Sequence, residues 1–189
     1  MAKLYFRYGA MNCGKTTNLL QVAHNYEEKG LKVIVVKPKI DTKGDDSVVS
    51  RLGVTRKVDY LLDEMNVSDL IDFTNLACIL VDEAQFLKKN QIRDLWKLSK
   101  LKDIPVICYG LRTDFQTNLF EGSRELFALA DELEELVTIC KCGKRAKFNA
   151  RVINGDYVLE GSSILIDGFE NVTYEPLCGK CYIEEVIKG

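Results

Sequence analysis

Short, nearly continuous apolar runs recur along most of the chain, and polar or glycine-containing segments separate them. Runs of this kind are typical of strands that are buried on both faces of a parallel sheet. The pattern predicts strands at residues 4–8, 33–36, 77–81 and 105–111.

The segments between these runs repeat apolar residues with the helical period. In the first of them, Leu19, Leu20, Ala23 and Tyr26 share one stripe, and Gly30 follows at a position that suits a left-handed helix end. Helices are predicted at residues 16–29, 90–100 and 120–130. Because strands alternate with helices, we predict an α/β core with a parallel sheet and flanking helices over residues 1–138.

Two regions depart from this alternation. Residues 41–57 are polar and are punctuated by Asp and Gly, so a surface loop is predicted there. From residue 139 to residue 189 the chain carries paired cysteines, Gly-Asp and Asp-Gly turns, and short β-prone stretches at 157–159 and 164–166. A small separate β subdomain is therefore predicted over residues 139–189.

Composition and charge narrow the function classes. Hydrophobic residues make up 47% of the chain and no apolar stretch is long enough to span a bilayer, so we expect no membrane partner. The first residues lack the features of a secretory signal, which favours a cytoplasmic location. With 26 basic and 28 acidic residues, the chain has no overall positive field, and nucleic acid is disfavoured as a partner.

The segment Gly-Ala-Met-Asn-Cys-Gly-Lys-Thr at residues 9–16 has the spacing of a Walker A phosphate loop. It lies between a predicted strand and a predicted helix, which is where backbone N–H groups and the helix N-terminus can surround a phosphate. Lys15 is predicted to neutralise the β and γ phosphates, and Thr16 to offer its hydroxyl to Mg²⁺. This motif predicts binding of ATP with Mg²⁺.

A second candidate segment is the predicted strand that ends in Asp82 and Glu83. Such a strand end lies beside the phosphate loop in nucleotide-binding folds of this type, so Asp82 is predicted to hold Mg²⁺ and Glu83 to accept a proton. The proton donor is water in an ATPase or motor and an acceptor hydroxyl in a kinase. The short chain and the absence of a dense basic face argue against a helicase and make a P-loop ATPase or motor the second choice. A zinc-ribbon binding module with a regulatory nucleotide site is a third possibility.

The chain has an odd number of cysteines, seven, and four of them are paired near the C-terminus. Four thiolates suit a closed tetrahedral zinc site that stabilises a small unit, although four reduced thiols without metal are the alternative. The predicted zinc ligands are Cys140, Cys142, Cys178 and Cys181. We expect the other cysteines to be small apolar side chains with no catalytic role, namely Cys13, Cys78 and Cys108.

Several segments, in the same order along nearly the whole chain, resemble the cellular-type (type II) thymidine kinases. They are the phosphate loop with Met11 and Thr17, the stretch Asp-Glu-Ala-Gln-Phe at 82–86, the stretches at 109–115 and 119–123, and the paired cysteines that bracket a loop ending at Tyr174. The resemblance implies phosphorylation of the 5′-hydroxyl of thymidine and deoxyuridine by ATP, with Glu83 as the general base. It also implies a lasso loop at 152–174 that closes over the base, a homotetramer, and feedback inhibition by dTTP.

The resemblance further implies which residues contact each ligand. For ATP they are Gly9, Ala10, Met11, Asn12, Cys13, Gly14, Lys15, Thr16, Thr17, Asp82 and Gln85. For Mg²⁺ they are Thr16, Asp82 and Asp41. For the nucleoside they are Met11, Phe86, Leu111, Phe115, Phe120, Ile164, Ile166, Asp167, Gly168 and Tyr174.

Overall fold

We describe the fold from a computed structural model, which covers residues 1–39, 46–162 and 171–188 of the chain. The helices in these ranges are α1 (Lys15–Glu27), α2 (Lys89–Leu101), α3 (Glu121–Leu129) and α4 (Gly179–Tyr182). The strands of the first part are β1 (Leu4–Tyr8), β2 (Lys32–Pro38), β3 (Ser47–Val49), β4 (Thr55–Lys57), β5 (Tyr60–Leu62), β6 (Leu76–Val81), β7 (Val106–Gly110) and β8 (Glu132–Glu135). The remaining strands are β9 (Thr138–Ile139), β10 (Arg145–Ala146), β11 (Phe148–Ile153), β12 (Asp156–Val158) and β13 (Val172–Leu177).

A parallel sheet forms the centre of the molecule and confirms the predicted α/β class. Among the described residues it has six strands in the order β5-β2-β6-β7-β1-β8, and every neighbouring pair runs parallel. The predicted strands are β1, β2, β6 and β7, which occupy the middle of the sheet. Their side chains alternate between two apolar clusters, one on each face, as expected for strands covered on both sides.

The helices cover the two faces of this sheet. Leu19, Leu20 and Ala23 of α1 belong to the cluster on one face, and α2 and α3 contribute to the cluster on the other. The predicted helices agree with these three within a few residues at each end. Gly30 has φ 71°, so it adopts the left-handed conformation expected after α1.

The outer strands of the sheet, β5 and β8, were not predicted. Strand β8 carries three glutamates in four residues, and most of it is exposed at the edge of the sheet. Glu132 and Glu134 form ion pairs with Lys3 and Arg7 of the neighbouring strand region. An edge strand needs no continuous apolar run, because one of its sides faces solvent.

Residues 41–45 of the surface loop predicted at 41–57 lie outside the described residues, and the prediction was wrong for the part that is described. Strands β3 and β4 pair there as an antiparallel hairpin, and Val48 is buried at 1% exposure in the cluster on the α1 face, together with Val58. The segment is polar overall, but Val48 on β3 and Val58 directly after β4 are enough to attach the hairpin to the core.

The C-terminal part forms small antiparallel sheets, as predicted, with an apolar cluster of its own. Strands β12, β11 and β13 form an antiparallel sheet, and β9 pairs with β10. The cluster includes Ala146, Ala150, Leu177 and Tyr182 together with three of the paired cysteines. The predicted stretch at 157–159 corresponds to β12, whereas 164–166 lies outside the described residues. The domain boundary at 138 stays a prediction.

In the part of the chain that the structure describes, no helix combines the length and the apolarity that crossing a bilayer requires.

Candidate active site

The phosphate loop connects β1 to α1, so it lies at the carboxyl edge of the sheet. Asn12 and Gly14 adopt left-handed backbone conformations, with φ of 64° and 80°, and this backbone curls the loop in front of α1. A Cβ atom on Gly9 would lie 2.5 Å from the Cys13 sulfur and closer still to the Leu136 carbonyl. Only glycine fits at that position, which explains the residue that opens the motif.

The ammonium group of Lys15 is held inside the loop. Its Nζ donates a hydrogen bond of 2.8 Å to the carbonyl oxygen of Ala10, and Cys13 Sγ lies 3.5 Å away. Lys15 is also the first residue of α1, whose N-terminal end favours anions. A positive side chain and a helix N-terminus therefore converge on one small volume, as binding of a polyphosphate requires.

Asp82 follows β6 and is 5% exposed. Burial raises the pKa of Asp82, the nearby charge of Glu83 raises it further, and the Lys37 and Lys15 ammonium groups oppose both effects. No Lys or Arg in the described ranges lies within ion-pair distance of this carboxyl group. The buried carboxyl group of Asp82, which the Lys15 charge of the phosphate loop reaches, offers the hard oxygen ligands that Mg²⁺ prefers.

Glu83 adopts a strained backbone, with φ 51°, which is rare for a residue other than glycine and recurs at functional sites. Gln85 holds its side chain, because Gln85 Nε2 donates to Glu83 Oε2 at 2.5 Å. The other end of the same amide, Gln85 Oε1, accepts from the backbone N–H of Leu111 at 3.0 Å. Gln85 thus connects Glu83 to the end of β7, an interaction that the sequence analysis did not anticipate.

The cavity at this edge of the sheet has a volume of about 780 Å³, within the range of small-molecule sites. Glu83 lines it together with Lys15 and Thr16 of the phosphate loop. The β3–β4 hairpin also lines the cavity, through Val49, Arg51 and Leu52. None of these three was a predicted site residue. The full lining is Met11, Asn12, Cys13, Gly14, Lys15, Thr16, Thr17, Asn18, Gln21, Val49, Arg51, Leu52, Glu83, Leu111 and Leu136.

Five of the predicted nucleoside residues fall into three groups. Met11 and Leu111 line the cavity, and the rings of Phe86 and Phe120 meet edge to face at 5.4 Å. Phe115 is 1% exposed, and one face of its ring is covered by Arg151.

Asn149 joins the loop that follows β7 to the phosphate loop. Its Oδ1 accepts from the Met11 backbone N–H at 2.8 Å, and its Nδ2 donates to the Thr113 carbonyl at 3.3 Å. Asn149 is buried and lies on β11, so the C-terminal sheet contacts the phosphate loop directly. Sequence reasoning missed this residue, since a single Asn in a strand gives no signal of its partners.

Some predicted site residues fall outside the described ranges. They are Asp41, Ile164, Ile166, Asp167 and Gly168.

The four paired cysteines come together in the structure. Their sulfur atoms all lie within 4.8 Å of one another, and the Cys142 and Cys178 sulfurs are 3.6 Å apart. Zn–S bonds of about 2.3 Å in a tetrahedron place the sulfurs about 3.8 Å apart, so this cluster fits a zinc ion. The pKa of Cys178 is lowered to about 7, chiefly because the Cys181 backbone N–H donates to its sulfur. The four cysteines are therefore placed so that they could hold a metal ion.

The cysteines of the two central strands β6 and β7 are small buried side chains, as predicted. Cys78 and Cys108 are fully buried, and burial raises the pKa of Cys78 to about 12. Cys13 is partly exposed in the phosphate loop.

Because Lys15 and Glu83 face one cavity, the site can hold a nucleoside triphosphate at the loop and present a carboxylate to a second substrate. A nucleotide-binding loop followed by α1, combined with such a carboxylate, defines a phosphotransferase of the P-loop class.

Comparison with known proteins narrows this class to one family. The family model described as thymidine kinase matches residues 2–182, and the chain belongs to that family. The thymidine kinase of Streptococcus agalactiae serotype Ia is 45% identical over 96% of this chain and 97% of its own length. The thymidine kinase of Enterobacteria phage T4 is 44% identical over 97% of each chain. The thymidine kinase of Streptococcus pyogenes serotype M3 is 42% identical over 99% of this chain and all of its own. Nothing in these similarities favours an ATPase or motor.

Proposed function

We propose that the chain transfers the γ-phosphoryl group of ATP to the 5′-hydroxyl of thymidine or deoxyuridine, giving the nucleoside monophosphate and ADP. The observation that carries the proposal is the shared cavity of Glu83 and the phosphate loop in a member of the thymidine kinase family. An ATP-dependent kinase needs its phosphate-binding loop and its general base on opposite sides of the transferred phosphoryl group. One cavity that contains both can meet this requirement.

In this proposal the phosphate loop, residues 9–17, binds the ATP phosphates through its backbone N–H groups and the Lys15 ammonium. Asp82 and Thr16 hold Mg²⁺, with Asp41 as the third expected ligand. When bound, the cation spreads the negative charge that develops on the phosphate oxygens. The loop is already wound around Lys15 by its left-handed residues, so little reorganisation is needed when the phosphates bind.

Glu83 is proposed as the general base. Its carboxylate takes the proton of the 5′-hydroxyl as the new O–P bond forms, and the bond between the γ-phosphorus and the β–γ bridging oxygen breaks to release ADP. The hydrogen bond from Gln85 and the strained backbone hold Glu83 in a single orientation. We therefore assign Gln85 chiefly to positioning this base, while its predicted contact with ATP stays a prediction.

The thymine base is proposed to bind among Met11, Leu111, Phe115, Phe120 and Tyr174, with Phe86 beside Phe120. Apolar and aromatic side chains suit a flat ring in a site from which water is excluded. Exclusion of water matters because a γ-phosphoryl group transferred to water wastes ATP. The expected contacts of Ile164, Ile166, Asp167 and Gly168 belong to the same proposal.

A nucleoside panel tests the proposed activity. The protein is incubated with Mg·ATP and each deoxynucleoside in turn, and ADP and nucleoside monophosphate are quantified. We expect ADP formation that depends on thymidine or deoxyuridine, with an equal amount of monophosphate. Steady ATP hydrolysis that is indifferent to every nucleoside would instead identify a water-activating ATPase.

Three further properties are proposed on the family alone. They are a homotetramer, feedback inhibition by dTTP, and a cytoplasmic location. Mass measurement in solution and inhibition by dTTP in the same kinase assay test the first two directly, and imaging of the tagged protein in its host tests the third.

A further inference from the structure

Arg151, on β11, is the largest fully buried side chain of the described part of the molecule. Burying a guanidinium group costs several kcal/mol unless charges and hydrogen bonds compensate. No carboxylate of the described residues forms an ion pair with Arg151. Its Nη1 is buried and has no hydrogen-bond partner in that part of the chain. A residue that is expensive to bury and incompletely paired calls for a reason other than stability.

The contacts that Arg151 does make point to one place. Its Nε donates to the hydroxyl oxygen of Tyr174 at 3.0 Å, and its Nη2 donates to the carbonyl oxygen of Ser162 at 2.6 Å. The guanidinium carbon lies 3.6 Å from the centre of the Phe115 ring, which is stacking distance. One side chain therefore contacts the loop after β7 and both flanks of residues 163–170.

Neighbouring backbone and side chains hold the partners of Arg151 in place. Arg151 and Tyr174 lie opposite each other where β11 pairs with β13. Gly161 has φ 110°, and a Cβ atom added to it would lie 3.4 Å from Arg151 Nη1. On the other side, the Tyr182 hydroxyl donates to the Phe115 carbonyl oxygen and fixes that backbone. The planar guanidinium can donate in two directions while stacking on a ring, which a lysine cannot do.

We propose that Arg151 is a positioning residue of the nucleoside site. It holds the Phe115 ring, the Tyr174 hydroxyl and the chain at Ser162 in one arrangement, so that the aromatic walls of the site are in place before the nucleoside binds. The inference rests on the proposed function, because Phe115 and Tyr174 matter here as nucleoside contacts. Pre-organised side chains lower the entropy cost of binding, so the effect belongs to nucleoside affinity and not to ATP.

The experiment compares R151K and Tyr174→Phe with wild type in the full-length, zinc-loaded protein. R151K keeps the charge and loses the fork geometry, and Tyr174→Phe removes the hydroxyl acceptor and keeps the ring. For each, KM for thymidine, KM for ATP, kcat and Tm are measured. R145K is the matched control, since Arg145 lies in the same C-terminal unit but pairs with Glu135 at the surface.

We expect R151K to raise the thymidine KM roughly tenfold or more, the size that loss of a charge-assisted hydrogen bond produces. The Tyr174→Phe change should raise it several-fold, and in neither variant should the ATP KM move by more than about twofold. In the double variant the two increases in KM should not add, because both substitutions remove the same hydrogen bond, from Arg151 Nε to the Tyr174 hydroxyl. R145K should match wild type.

A purely structural role gives a different result. Partial unfolding lowers Tm and the active fraction, and so kcat, while KM for thymidine stays unchanged. That outcome, or a folded Tyr174→Phe with wild-type KM for thymidine, overturns the inference. A wild-type protein that phosphorylates no nucleoside refutes the proposed function instead, so the two failures are distinguishable.

Discussion

Asp82 and Glu83 are adjacent acids in very different surroundings. Asp82 is buried, and its burial raises its pKa, whereas Glu83 lines the cavity and is held by Gln85. A divalent cation favours the charged form of a carboxyl group, so Asp82 suits a metal ligand. The division of roles between the two acids stays a prediction from the sequence, whereas the Gln85 contact that orients Glu83 was not predicted, because it depends on the neighbouring strand β7.

Replacement of Glu83 by Gln removes the proposed base and keeps the shape of the side chain. We expect kcat for thymidine phosphorylation to fall about 10²–10⁴-fold, the usual contribution of a general base, while ATP binding is retained. Single-turnover kinetics and equilibrium binding of ATP measure the two quantities. E64Q is the control, since Glu64 is exposed. Turnover within a few-fold of wild type would remove Glu83 from this role.

At the scale of elements, prediction succeeded where burial leaves a clear pattern. The central strands are covered on both faces and therefore appear as apolar runs. Strand β8 and the β3–β4 hairpin escaped prediction, because β8 is an acidic edge strand and Val48 is the one buried residue of β3. These elements matter for function, since the residues that follow β3 and β8 line the cavity.

Helix α3 packs closely against the turn that carries Gln85, and Gly122 makes this possible. A Cβ atom on Gly122 would lie 2.9 Å from the Leu87 carbonyl oxygen and 3.0 Å from that of Gln85. Helix propensity alone predicts that Gly122→Ala stabilises by up to about 1 kcal/mol. We expect the opposite, a loss of about 1–3 kcal/mol in the free energy of unfolding, because carbonyl oxygens of the backbone cannot move aside.

Urea denaturation measures this change, and kinase assays show whether the shift of α3 also disturbs Glu83. R124A is the control in the same helix, since Arg124 is exposed, and it should stay within about 0.5 kcal/mol of wild type. A Gly122→Ala protein as stable as wild type or more so would show that the packing of α3 has more freedom than these distances imply.

At the scale of the whole molecule, the C-terminal unit joins the core at the active site. Asn149 binds the phosphate-loop backbone, and Arg151 stacks on Phe115. The unit itself has a small apolar cluster that includes three of the four clustered cysteines. Structural zinc typically contributes on the order of 10 kcal/mol to such small units, so the metal is expected to support the active site from a distance.

Zinc removal tests this dependence. The purified protein should contain about one equivalent of zinc, and a zinc-selective chelator in excess Mg²⁺ should abolish thymidine phosphorylation. Limited proteolysis should then cut first after residue 138, because the small cluster loses its main support. Restoring zinc should restore activity, which separates metal loss from damage. Less than half an equivalent of zinc in the active protein would contradict the prediction.

The sequence by itself determined the α/β class, the phosphate loop, the acid pair and the four cysteines, because each depends on local spacing or on a continuous apolar run. Only the tertiary structure revealed the edge strands and the β3–β4 hairpin that lines part of the cavity. It also revealed the contacts of Gln85 and Asn149 and the burial of Arg151 against Phe115. These features depend on which distant segments meet, such as Arg151 with Ser162 and Tyr174. The physical reason is that burial and hydrogen-bond pairing depend on how the chain packs in three dimensions, whereas periodicity and motif spacing depend only on the order of residues along the sequence.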